Sequence, residues 1–136
     1  MLERNQYPQF YIDKKDEFKV ISKLQETLNL ELASAISAQG VTAIRGALSK
    51  IVAEALEEPV EASLPALPET IEIFLTGAKK NTGLIEALTT VKQNSSRAVD
   101  HVVNVLALTA QYAFFKQFPE DEIKQICLCA MLHDTG

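Results

Sequence analysis

The chain has 136 residues, of which 47% are hydrophobic, and its 13 Lys and Arg against 18 Asp and Glu give a net charge of −5. This acidic balance argues against nonspecific binding to DNA or RNA, which depends on clustered basic side chains. No apolar run approaches the roughly 18–20 residues of a membrane span, and the N-terminus lacks the apolar core of a signal peptide. We therefore expect a cytoplasmic protein of one domain, or one small domain joined to part of another.

The first part of the chain predicts two helices after a short aromatic stretch. The alternation in residues 1–13 is too brief to distinguish a strand from an extended arm. Apolar residues then recur at three- and four-residue steps over about 14–38, with Asp13 as the N-cap and Gly40 as the stop. A second helix is predicted over about 42–57, because one clean apolar stripe faces a polar side.

The segment 58–68 is predicted to be a linker, because it carries three prolines at positions 59, 65 and 68. We divide the chain there into residues 1–68, a mostly helical regulatory or partner-binding domain, and residues 69–136, the N-terminal part of a second helical domain. Pro68 suits the start of the helix predicted over about 69–79. Residues 81–83 (Asn-Thr-Gly) interrupt that helix, and another short helix follows.

The last part of the chain predicts two strongly apolar helices. The first spans about 96–117, with Ser95 or Ser96 as N-cap, and is apolar on most sides, which is typical of a buried central helix. Pro119 opens the second, whose acidic first turn opposes the positive end of the helix dipole. The predicted fold class is all-α. The apolar surface of these helices also predicts self-association into a homo-oligomer.

Two cysteines, Cys127 and Cys129, lie two residues apart on the last predicted helix. Because they point about 200° apart around the helix axis, they cannot form a disulfide with each other. We interpret both as small core residues of a protein from a reducing compartment, rather than as metal ligands.

The chain has only two histidines, and each belongs to one of the two apolar helices. His133 and Asp134 end the last helix, and an imidazole beside a carboxylate suits Fe, Mn, Zn or Mg, with Fe or Mn favoured. The alternative is a histidine that caps the helix C-terminus, beside a solvated aspartate. His101 lies near the start of the preceding helix, where a lone histidine is commonly a satisfied boundary residue. If the two helices pack antiparallel, however, His101 lies beside His133 and Asp134.

Residues 96–105 (SRAVDHVVNV), a long apolar helix, and residues 128–136 (LCAMLHDTG) resemble the opening of an HD-superfamily domain. The resemblance is greatest to the HD-GYP subgroup, which hydrolyses cyclic di-GMP. In that family a histidine precedes an apolar helix, a turn, and a helix that ends in Leu-His-Asp-Ile-Gly-Lys. The 32-residue separation of the two histidines fits the subgroup, and the resemblance covers about residues 84–136.

The resemblance implies a role for each matching residue. His101 and His133 would be metal ligands, and Asp134 would bridge two divalent ions, with Fe or Mn preferred, that activate water and bind phosphate oxygens. Some family members place a further ligand, a glutamate, where this chain has Arg97. The family's downstream lysine, histidines, aspartate and Gly-Tyr-Pro loop have no counterpart in the chain.

We therefore expect an excised part of a metal-dependent phosphodiesterase that acts on a cyclic dinucleotide in the parent protein. No complete catalytic site is expected in this chain, which should be inactive alone and need not bind a metal. The alternative is a non-catalytic helical sensor or interaction module that dimerises through apolar helix faces.

Overall fold

A computed structural model describes residues 14–38, 40–57, 64–81, 83–90 and 96–133. Within these residues all regular structure is helical: α1 (Lys14–Ala38), α2 (Val41–Glu57), α3 (Leu67–Lys80), α4 (Leu84–Thr90), α5 (Arg97–Phe115) and α6 (Glu120–Leu132), with one 3-10 turn at Leu64–Ala66. The predicted all-α class is confirmed. The predictions for residues 1–13, including the Asp13 cap, lie outside the described residues.

The helices begin and end at the polar and proline residues that the sequence indicates. Ser96 is the N-cap of α5, and its hydroxyl accepts a hydrogen bond of 3.2 Å from the backbone N–H of Val99. This bond satisfies one of the N–H groups that lack a partner in the first turn of a helix. Pro68 lies in the first turn of α3, Asn81 is its C-cap, and Pro119 immediately precedes α6.

Two helix pairs that adjoin in sequence pack closely, and cross-contacts join the pairs. α1 packs on α2, and α5 packs on α6, while α3 contacts α1 and α6, and α2 contacts α5. One hydrophobic core includes fully buried side chains from all five of these helices: Leu32, Leu48, Phe74, Leu106 and Met131. Helices from both sides of residue 68 thus share this core, and the division of the chain into two domains stays a prediction.

The end of the predicted linker is more ordered than its proline content indicates. The 3-10 turn Leu64–Ala66 leads directly into α3, and the Asn29 side-chain amide on α1 donates a 3.2 Å hydrogen bond to the carbonyl of Ala66. The Thr70 hydroxyl on α3 lies 2.5 Å from the side-chain oxygen of Asn29. This polar contact fastens the start of α3 to α1, so residues 64–68 are not a linker. Residues 58–63 lie outside the described part of the chain.

The structure corrects the prediction that α5 is buried nearly all round. Three large side chains on one side of α5 are exposed: Leu108 by 54%, Tyr112 by 55% and Phe115 by 81%. The reason is geometric, because α2, α4 and α6 pack against other sides of the helix and nothing in the described part of the chain covers this one.

The prediction that both cysteines belong to the core is wrong for one of them. Cys127 is buried, whereas Cys129 is exposed. The two side chains point about 200° apart around the helix axis. A helix that packs on one side can therefore turn only one of the two thiols toward the core.

None of the described helices combines the length and the apolar character that crossing a membrane would need.

Candidate metal centre

The connection between α5 and α6 determines which residues meet across that helix pair. Gln117 has a φ of 58°, the left-handed conformation that commonly ends a helix. The backbone N–H of Phe118 then donates a 3.1 Å hydrogen bond to the carbonyl of Ala113, which belongs to the last turns of α5. The chain reverses here, so α6 returns along α5 and its C-terminal end reaches the N-terminal end of α5.

This reversal brings the two histidines of the chain together. The Nε2 atoms of His101 and His133 are 3.3 Å apart. The ring centroids are 5.3 Å apart, and the ring planes meet at 62°. Both residues are exposed, so the pair lies at the protein surface beside the end of the core. The predicted juxtaposition of the two imidazoles is therefore present, while their role as metal ligands stays a prediction.

The separation of the two nitrogens fits a shared divalent ion. With zinc–nitrogen distances of about 2.0–2.1 Å as a guide, two neighbouring ligands lie about 2.9 Å apart at a 90° angle and about 3.3 Å apart at a tetrahedral angle. The observed Nε2–Nε2 distance of 3.3 Å is at the tetrahedral end of this range. The same distance suits a hydrogen bond between two neutral imidazoles, so the metal-free pair is also a satisfied arrangement.

The other ring nitrogen of His133 determines which tautomer the imidazole adopts. His133 Nδ1 lies 2.6 Å from the backbone carbonyl oxygen of Ala130. Because a carbonyl oxygen only accepts, Nδ1 carries the proton and donates, which leaves the Nε2 lone pair of the neutral ring directed toward His101. Metal-binding histidines characteristically donate their second N–H in this way. The C-capping role considered from the sequence is thus also present, and it uses the opposite nitrogen.

Among the described residues, the two histidines are the candidate ligands that the structure brings together. No group of three or more His, Cys, Asp or Glu side chains that could hold a metal ion occurs among the described residues. Asp134, the third ligand predicted from the sequence, lies outside them. Two imidazoles alone leave at least half of the coordination positions of a divalent ion open.

A buried arginine close to the histidines is a feature to which the sequence interpretation assigned no role. Arg45 on α2 is only 2% exposed. One of its terminal nitrogens donates hydrogen bonds of 2.9 Å to the carbonyl of Leu88 and to the side-chain oxygen of Asn104. The other lies 3.5 Å from a carboxylate oxygen of Asp100, the residue before His101. A cation inside the otherwise apolar run of α2 is the sequence signal that could have indicated this contact.

Comparison with known proteins identifies no relative: no family model, no curated protein and no solved structure matches the chain. A function must therefore be argued from the residues themselves.

Proposed function

We propose that this chain provides the first metal ligands of a cytoplasmic, metal-dependent phosphohydrolase of the HD type, closest to the HD-GYP enzymes that act on cyclic di-GMP. The observation that supports this most directly is the meeting of the only two histidines, 32 residues apart in sequence, with their Nε2 atoms 3.3 Å from each other. The proposal assigns His101 and His133 as ligands and Asp134 as the bridging carboxylate, with Fe or Mn as the preferred metal.

Different residues of the chain have different roles in such a site. The carbonyl of Ala130 holds the proton on Nδ1 of His133 and so keeps Nε2 available as a ligand. His101 approaches from the opposite helix and orients its own Nε2 toward the same point. When bound, divalent ions supply an acidified water and neutralise the charge of a phosphodiester. Because the described residues supply only two ligands, we expect this chain alone not to hydrolyse cyclic di-GMP.

Metal stoichiometry tests the proposal. The chain would be loaded anaerobically with Fe²⁺ or Mn²⁺, passed through gel filtration, and analysed for metal content alongside His101→Ala and His133→Ala. Gln111→Ala, an exposed change on the same helix as His101, is the matched control. We expect the wild-type chain and the control to retain metal equally and both histidine variants to lose it. A wild-type chain without bound metal, or histidine variants that retain it fully, would refute the assignment.

A second candidate function is supported by the exposed apolar side of α5. Leu108, Tyr112 and Phe115 recur at four- and three-residue steps and are 54%, 55% and 81% exposed, a pattern typical of a helix that packs against a partner. The chain would then be a non-catalytic sensor or interaction module that forms a homo-oligomer. Sedimentation analysis distinguishes the two. A metal-free dimer that Leu108→Glu disrupts, and that both histidine variants leave intact, favours the interaction module.

A further inference from the structure

The contacts of Arg45 join three helices at a point adjacent to the imidazole pair. Its guanidinium donates to Leu88 on α4 and to Asn104 on α5, and lies beside Asp100 on α5. We call these four residues the Arg45 network. Fully buried arginines are rare unless they are paired. The structure therefore places an uncommon group next to a candidate functional site.

Two of the three Arg45 contacts, to Asp100 and Asn104, restrain the N-terminal part of α5, and the third, to Leu88, is made to α4. The carbonyl of Leu88 is among the last four of α4, which have no backbone N–H partner within their own helix. Asp100 and Asn104 lie one turn apart on α5, so a single guanidinium holds two successive turns of that helix. The buried Nε of Arg45 has no hydrogen-bond partner. The side chain is thus held by its terminal nitrogens alone, at some cost in stability.

The Arg45 network and the imidazole contact act on the same turn of α5. Asp100 and His101 are consecutive, and their side chains point about 100° apart around the helix axis. Arg45 therefore holds this turn on its inner side, while His133 meets it on its outer side. Because His133 is oriented by Ala130 within its own helix, the Nε2–Nε2 separation depends on where the first turns of α5 lie.

We propose that Arg45 is a positioning residue for the candidate metal centre. It fixes the start of α5 so that Nε2 of His101 meets Nε2 of His133. It also connects the centre to α2, which belongs to the region predicted from sequence to be regulatory or partner-binding. The positioning role rests on the structure alone, and its consequence for metal affinity rests on the proposed function.

The test compares Arg45→Lys and Arg45→Met with Arg97→Met, which removes an exposed cation from the first turn of α5. Lysine keeps the charge but lacks the planar fork that reaches several acceptors together. The first measurement is the ¹⁵N shifts of both imidazoles in the metal-free chain at one fixed pH. The second is Co²⁺ affinity from visible absorption.

Both Arg45 variants should shift the His101 nitrogens, leave the protonated Nδ1 of His133 unchanged, and weaken Co²⁺ binding at least about tenfold, the usual effect of losing a residue that supports a metal ligand. Arg97→Met should leave both measurements close to wild type. Selective loss at His101, with His133 retained, separates positioning from general destabilisation. If Arg45→Met does not fold, the same measurements are made on Arg45→Lys and on Asn104→Ala, a milder change that removes one acceptor of the Arg45 hydrogen bonds.

Unchanged His101 shifts in a folded Arg45→Lys and in Asn104→Ala would overturn the positioning role. If the wild-type chain binds no Co²⁺ but the Arg45 variants still move the His101 signals, the metal proposal fails and the positioning role stands. If wild type and variants bind Co²⁺ equally well and the His101 shifts are also unchanged, the metal proposal stands and the positioning role fails.

Discussion

Two helical glycines offer a matched test of how closely α1 packs on α3. A Cβ added at Gly77 on α3 would lie 2.6 Å from Cγ2 and 3.2 Å from Cδ1 of Ile36 on α1, whereas a Cβ added at Gly46 on α2 would meet nothing within 4 Å. Both glycines lie inside helices, so alanine has the same conformational advantage at either position. Only the space around the new methyl group differs between the two substitutions.

The expected changes in unfolding free energy have opposite signs. Alanine in place of glycine inside a helix stabilises by about 0.5–1 kcal/mol, and we expect Gly46→Ala to show this gain in full. At Gly77 the methyl group overpacks a filled contact, which typically costs about 1–3 kcal/mol. Ile36 is β-branched and has one strongly preferred χ1 rotamer in a helix, so its Cγ2 cannot rotate away and α1 must move. The two ranges combine to a net loss of up to about 2.5 kcal/mol for Gly77→Ala.

Urea unfolding followed by far-UV circular dichroism measures both changes. Ile36→Ala removes both contacting methyl groups, so Gly77→Ala should cost much less in that background than in the wild type, and a double-mutant cycle reports this coupling. A Gly77→Ala variant at least as stable as Gly46→Ala would refute the reasoning, because it would show that α1 and α3 do not approach so closely.

Three further predictions follow from single contacts. Cys129 is exposed and should react quickly with a thiol reagent in the native protein. Cys127 is buried, and burial raises the pKa of its thiol to about 11, so it should react only on unfolding. Equal reaction rates of the two thiols in the native protein would contradict this prediction. Ser96→Ala should lower the unfolding free energy by about 1 kcal/mol through loss of the α5 N-cap, and an unchanged urea midpoint would contradict the cap. The hydrogen bond and the charge of Lys79 lower the pKa of the Glu120 carboxyl. This ion pair therefore stabilises the fold at pH values above the ordinary pKa of a carboxyl group, and the stabilisation is lost as the pH falls through the lowered pKa. Wild type and Lys79→Met should therefore differ in stability at neutral pH and converge in acid, and a constant difference across the pH range would exclude the mechanism.

The helix boundaries could be predicted from the sequence because their signals are local. The apolar period, the Ser96 cap and the prolines beside α3 and α6 each act within a turn or two of the chain. α1 has the predicted limits, and α2 begins one residue earlier than predicted. The meeting of His101 with His133 was also predictable, because a short connection between two apolar helices favours antiparallel packing.

Which side of each apolar helix is covered was decided only by the tertiary structure. The composition of α5 predicts burial all round, yet Leu108 and Phe115 are exposed because no described helix packs there. Periodicity shows that a helix has an apolar surface, but the positions of the neighbouring helices decide how much of it leaves water. The partners of Arg45 lie 43 to 59 residues away along the chain, and no local pattern specifies such contacts. These contacts form because the packing of α2, α4 and α5 around one core places the buried Arg45 guanidinium beside oxygen atoms that accept its hydrogen bonds. A buried cation needs such partners.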